Sequence, residues 1–150
     1  MSIQNLSFTR RPSPINPEFR PIYRMSIIIL ILKIASRGSS ASLLKLHFFS
    51  WMIKSRERRQ MLSMILESTS SQLPIFNIEP SLNQALLYLE SEKLVKRNGD
   101  RFILSDTGES LASEIISETD ILIKEKSFLN LIGKKFTEAK VEELLNNLNK

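Results

Sequence analysis

The fold is decided by residues 80–111, PSLNQALLYLESEKLVKRNGDRFILSDTGESL. Leu82, Ala85, Leu86 and Leu89 recur at i, i+3, i+4 and i+7, the spacing of one helix face. Ser81 is placed to cap that helix, with Pro80 just outside it. Two short strand-like runs, LVKR and RFILS, flank Asn98-Gly99-Asp100. Asn-Gly is a strong hairpin signal because both residues tolerate a positive φ. Asp106 followed by Glu109 has the spacing of a capping box that opens another helix. A helix feeding a tight basic hairpin, followed at once by a helix, is the core of a winged helix. The expected fold is therefore mainly α with a small β-hairpin: a winged-helix domain with extra helices and an extended N-terminal arm. Such domains bind DNA, RNA and proteins alike, so fold alone does not assign function.

The rest of the chain is read outward from that core. Residues 1–22 carry Pro12, Pro14, Pro17 and Pro21 among Arg10, Arg11 and Arg20. Proline blocks helix and favours extended backbone, so this stretch is read as an arm. Arg10, Arg11, Phe19, Arg20 and Tyr23 are its candidate partner-docking residues. A winged-helix domain is expected over 23–132 and an amphipathic C-terminal helix over 133–150. Residues 23–35 are apolar almost all round, and their β-branched content suits a buried strand as well as a helix. The winged-helix context favours a central buried helix. Gly38 suits the end of that helix, and Ser40 or Ser42 the start of the next, which runs to about Ser55. That second helix carries Leu43, Leu44, Leu46, Phe48, Phe49, Trp51, Met52 and Ile53. This is more apolar surface than one face uses, so part of it is a candidate interface. A third helix over 56–68 would bury Met61, Met64 and Ile65, with Leu62 as a further candidate for that face. Residues 69–80 are read as a loop, with a possible strand at Ile75–Ile78 pairing with the wing. After the wing, one long helix is expected through Ile115, Leu122 and Ile132, stopped by Gly133. Thr137 is expected to cap the last helix.

Charge is uneven. Residues 1–75 hold 11 Lys and Arg against 3 Asp and Glu, a net +8; residues 76–150 hold 10 against 13, a net −3. A basic half suggests an anionic partner, nucleic acid or an acidic protein surface. Lys54, Arg56, Arg58 and Arg59 are the densest basic cluster. Arginine forks suit phosphates and carboxylates equally, and a solvated face is the third reading. Lys96, Arg97 and Arg101 on the hairpin are candidate phosphate contacts, giving affinity without sequence preference. The helix from Ser81 offers Asn83 and Gln84 for base edges. Yet it has no basic residue before Lys93 and carries Glu90 and Glu92, which argues against a DNA reader.

Several classes of chemistry are excluded. With no cysteine there is no disulfide or thiolate chemistry. One histidine cannot build a multi-histidine metal centre. The four glycines form no phosphate-binding loop. No nucleophile-base or paired-carboxylate pattern stands out, so no enzyme, metal or cofactor is expected. The apolar run 27–32 is too short to span a bilayer, which takes roughly 20 residues. A cytoplasmic protein is expected.

Two stretches flanking the core, EFRPIYRMSIIILILKIASRGSSASLLKLHFFSWMI (18–53) and KEKSFLNLIGKKFTEAKVEELL (124–145), add a resemblance. With the winged-helix stretch between them, the chain resembles the small middle component of bacterial ABC three-component systems, of which Lamassu is the antiviral example. The resemblance rests on hydrophobic pattern and polar punctuation, and carries no catalytic residues. It implies an accessory subunit of an SMC-like ATPase with a long coiled coil, bridging that ATPase and a nuclease-type effector. Such complexes sense foreign double-stranded DNA and hold the effector silent until then. The alternative from the residues alone is a free-standing, dimeric winged-helix transcription regulator.

Overall fold

A computed structural model describes residues 21–67 and 79–148. The elements run α1 (Pro21–Ile34), β1 (Ser40–Ser42), α2 (Leu43–Met52), α3 (Arg56–Glu67), α4 (Pro80–Ser91), β2 (Val95–Asn98), β3 (Arg101–Leu104), α5 (Asp106–Ser117), α6 (Ile123–Ile132) and α7 (Glu138–Leu148). The chain is thus mainly helical with one small antiparallel sheet, in the order β1-β3-β2.

α1 is the central helix. Ile27 to Leu32 are six consecutive residues at no more than 2% exposure. Each buried side chain of this size contributes about 2 kcal/mol. α1 is therefore surrounded, touching α2, α4, α5 and α6. Its described residues start at Pro21, so helix reaches into the expected arm. It ends at Ile34, before Gly38. Ser36 donates to the Ile31 carbonyl at 2.9 Å and closes the last turn.

The Gly38–Ser42 stretch holds an unexpected strand. Ser40, Ala41 and Ser42 pair with Ile103, Phe102 and Arg101. Three small residues carry too little alternation to be read as a strand, and β3 supplies the ladder. Ser42 then caps α2, accepting from Lys45 N–H at 3.1 Å. α2 stops at Met52, short of Ser55. Of its apolar residues, Leu46, Phe48, Phe49, Trp51 and Met52 are buried, as is Ile53 just beyond it, and Leu43 and Leu44 are half-buried against the core. The expected surplus is consumed by the core, partly through Phe136, whose ring packs on Phe48 and Phe49 at 5.9 and 6.1 Å.

On α3, Leu62 and Ile65 are buried, but Met64 is 66% exposed. The start of α4 also differs from expectation. Glu79 is the N-cap and Pro80 the first helical residue, with Ser81 inside. The buried face of Leu82, Ala85, Leu86 and Leu89 is as expected. The hairpin pairs Asn98 with Arg101, so Asn98 belongs to β2 and the loop is Gly99-Asp100. Only Gly99 has a positive φ, +65°, the pattern of a type II′ turn. The next cap is Ser105, one residue earlier than Asp106; its hydroxyl accepts from Gly108 N–H at 3.0 Å. The expected long helix is broken: α5 ends at Ser117, and Leu122 adopts φ +50° before α6 starts. Gly133 does end α6. Thr137 does cap α7, accepting from Lys140 N–H at 3.2 Å. Val141 and Leu144 seat α7 in the common core. The Ile75–Ile78 stretch, Arg10, Arg11, Phe19 and Arg20 lie outside the described residues.

Candidate docking interface

α4 is held at its start by charge and along its inner face by apolar packing. Glu79 pairs with Arg24 of α1 at 3.7 Å and with Lys54 beyond the end of α2. One turn on, Asn83 Oδ1 meets His47 Nε2 of α2 at 3.3 Å. His47 is buried, and desolvation pulls its pKa below the usual imidazole range, against the opposing Asn83 bond and Glu79 charge. Side chains from α1, α2 and the turn after α2 thus fix the start of α4.

What α4 presents outward is apolar and amide-rich. Leu87 is 61% exposed and Tyr88 57%, beside exposed Asn83 and Gln84. A groove of about 760 Å³ runs between α4 and the start of α1, lined by Pro21, Ile22, Met25, Gln84, Ala85 and Tyr88 together with Ser81 and the Glu79-paired Arg24. Ile22 at its rim is 67% exposed. Large apolar side chains clustered on a surface mark contact sites more often than scattered ones do. Leu87 was not among the residues singled out in the sequence. It lies one position off the buried stripe, which is the signal that could have found it.

The hairpin cations do not form one phosphate-facing row. Arg97 pairs with Glu90 at the end of α4 at 3.2 Å and lies over Phe102 at 4.7 Å. Arg101 turns to β1, donating to Ser40 Oγ at 2.9 Å and the Ser40 carbonyl at 3.0 Å. Lys96 is exposed and forms no ion pair among the described residues. Adjacent strand positions send Lys96 and Arg97 to opposite sheet faces.

The 54–59 cluster is mostly engaged with its own chain. Lys54 serves Glu79. Arg58 donates to the Trp51 carbonyl at 3.0 Å, and Arg59 to the Ile53 carbonyl at 2.6 Å. These are carbonyls freed at the end of α2, which arginines commonly cap. Only Arg56 of the four is fully exposed. Tyr23, expected on the arm, instead donates from its hydroxyl to Glu125 Oε2 at 2.8 Å and ties α1 to α6.

Among the described residues, no cluster of three or more histidine or acidic side chains is placed to hold a metal ion. None of the described helices is long and apolar enough to cross a membrane. Searches of known protein families, curated proteins and solved structures find no match to this chain.

Proposed function

We propose that this chain is a non-catalytic winged-helix subunit that works by docking onto a larger protein assembly. The order α1-β1-α2-α4-β2-β3, with sheet order β1-β3-β2, suits a winged helix in which α3 is an insertion. α4 then holds the position that reads DNA in nucleic-acid-binding relatives of this fold. The observation that carries the docking reading is the outer face of α4. It shows Leu87 and Tyr88 and no cation, while Glu90 at its end neutralises Arg97. Phosphates reward positive charge, whereas exposed aromatic and aliphatic anchors suit a protein partner.

The resemblance of residues 18–53 and 124–145 to the middle component of Lamassu-type systems specifies the assembly. In this reading the partners are a cytoplasmic SMC-like ATPase with a long coiled coil and a nuclease-type effector. The chain bridges them, and DNA sensing by the complex controls the effector. ATP and metal belong to the other subunits. Isolating the tagged chain from its own cells is expected to co-purify a coiled-coil ATPase. The chain alone is expected to bind duplex DNA weakly, without sequence preference, and less as salt rises. A homodimer binding one duplex sequence tightly would instead make the chain a transcription regulator and end the subunit reading.

A further inference from the structure

On another part of the surface, β1, the 3-10 turn before it and the start of α7 enclose a cleft of about 230 Å³. Arg37, Lys45, Arg101 and Lys134 line it, with Glu138 as its one carboxylate. These five residues carry four positive charges and one negative. They come from three regions far apart in sequence, which is why no local motif announces them.

The carboxylate is already committed. Glu138 Oε2 accepts from Ser42 N–H at 3.0 Å, and Oε1 from the Ser42 hydroxyl at 2.6 Å. Arg101 Nη1 stands 3.7 Å from Glu138 Oε2. Glu138 thereby orients Arg101, whose other nitrogens are held by Ser40. Arg37 and Lys134 are exposed and form no ion pair among the described residues.

Lys45 is the most informative member. It is only 3% exposed and forms no ion pair among the described residues. Its ammonium donates once, to the Ala35 carbonyl at 2.7 Å, although it has three N–H donors. The Phe49 ring lies 5.7 Å from it. Buried ammonium groups are almost always paired with an anion. Desolvation lowers its pKa, with Arg101 and Arg37 acting the same way against the attraction of Glu138. Glu138 attracts the ammonium but makes no direct contact with it, so two of its three donors have no acceptor among the described residues.

We propose that this cleft binds a dianionic phosphate group, with Lys45 and the oriented Arg101 at its base and Arg37 and Lys134 at its mouth. Arginine forks and lysine point charges are the side chains that recognise phosphate. The cleft is below the range of about 300–1,000 Å³ typical of pockets for drug-sized ligands. It fits a terminal phosphate and not a whole nucleotide. The phosphate comes from a free small molecule or from the 5′ end of a nucleic acid.

The test is a titration of the full chain with inorganic phosphate at constant ionic strength, chloride being the balancing anion. Backbone amide shifts of Glu138 and Ala139 provide the readout. Saturable shifts are expected, and Arg37→Ala with Lys134→Ala should weaken the affinity about tenfold or more, since both substitutions remove a charge from the mouth of the cleft. Both residues are exposed, so the thermal midpoint of the double variant serves as the folding control. No saturable shift, or equal titration of parent and double variant, would overturn the proposal. A second arm competes phosphate with duplexes that carry a 5′-phosphate or a 5′-hydroxyl. Selective competition by the phosphorylated duplex assigns the source to nucleic-acid ends; no competition by either assigns it to a small phosphate.

Discussion

The guanidinium of Arg58 lies 3.9 Å over the Trp51 ring and donates to the Trp51 carbonyl at 3.0 Å. One side chain thus caps the end of α2 and covers its largest aromatic residue. Both contacts of the guanidinium are made within its own chain. A charged hydrogen bond and a cation–π contact together are worth about 2 kcal/mol. Arg58→Ala is expected to lower the thermal midpoint by about 5 °C, and Arg58→Glu by more. Calorimetry checks this. An unchanged midpoint would return Arg58 to the list of free surface cations.

Gly108 is required by a close approach and not by its backbone angle. A Cβ there would stand 2.1 Å from the Leu94 carbonyl oxygen and 3.0 Å from a Leu104 methyl. The Leu94 carbonyl cannot retreat, because it accepts from Ser105 N–H at 3.0 Å and joins the start of the hairpin to α5. Gly108→Ala is expected to destabilise by about 2–3 kcal/mol, although alanine is the better helix former. Urea unfolding measures it. A stabilised variant would show that α5 docks farther from the hairpin.

Periodicity revealed the helices whose apolar faces are complete, α4 and α7, because 3.6-residue spacing is local information. α1 is apolar all round, so periodicity could not separate helix from buried strand there, and only the expected context favoured helix. The Asn-Gly signal located the hairpin for the same reason. β1 escaped because Ser40-Ala41-Ser42 has no strand preference and owes its shape to β3, about 60 residues away. The break at Leu122 escaped because the apolar pattern continues through it, and only tertiary packing selects the left-handed turn. The basic residues at 54–59 were visible as charge. Their partners, the carbonyls of Trp51 and Ile53, exist only once α2 has ended. The cleft around Lys45 was illegible, since its cations lie between residues 37 and 134.

His47 couples stability to pH. Burial lowers its pKa from 6.5 in the folded protein. Below pH about 6.5 the unfolded chain takes up the proton first, so its contribution, complete above that pH, is lost as pH falls towards the folded pKa. Urea midpoints are expected to drop as the solution is acidified through this window. His47→Gln should remove that slope. Glu109 acts in a separate, more acidic window. Its carboxyl is held below the usual range by Lys33 at 2.7 Å and Ser39 at 2.8 Å, so its contribution is lost only below pH about 4.5. A slope that survives His47→Gln would place the titration on another group.

Leu87 and Tyr88 separate folding from docking. Both are largely exposed, so removing them opens no cavity, and Leu87→Gln with Tyr88→Gln should change stability by no more than about 0.5 kcal/mol. Exposed aromatic anchors are costly to lose at interfaces, about 2 kcal/mol or more when they form the centre of the contact. Affinity for the co-purifying ATPase should therefore fall about thirtyfold or more. Lys96→Gln is the matched control. It should reduce the salt-dependent duplex binding of the chain and leave ATPase affinity unchanged, because an isolated phosphate contact carries charge but no apolar area. Size-exclusion analysis of mixed components gives the first readout and a duplex titration against salt the second. Should the α4 variant keep its partner while Lys96→Gln loses it, the outer face of α4 is not the docking surface, and the wing takes that role.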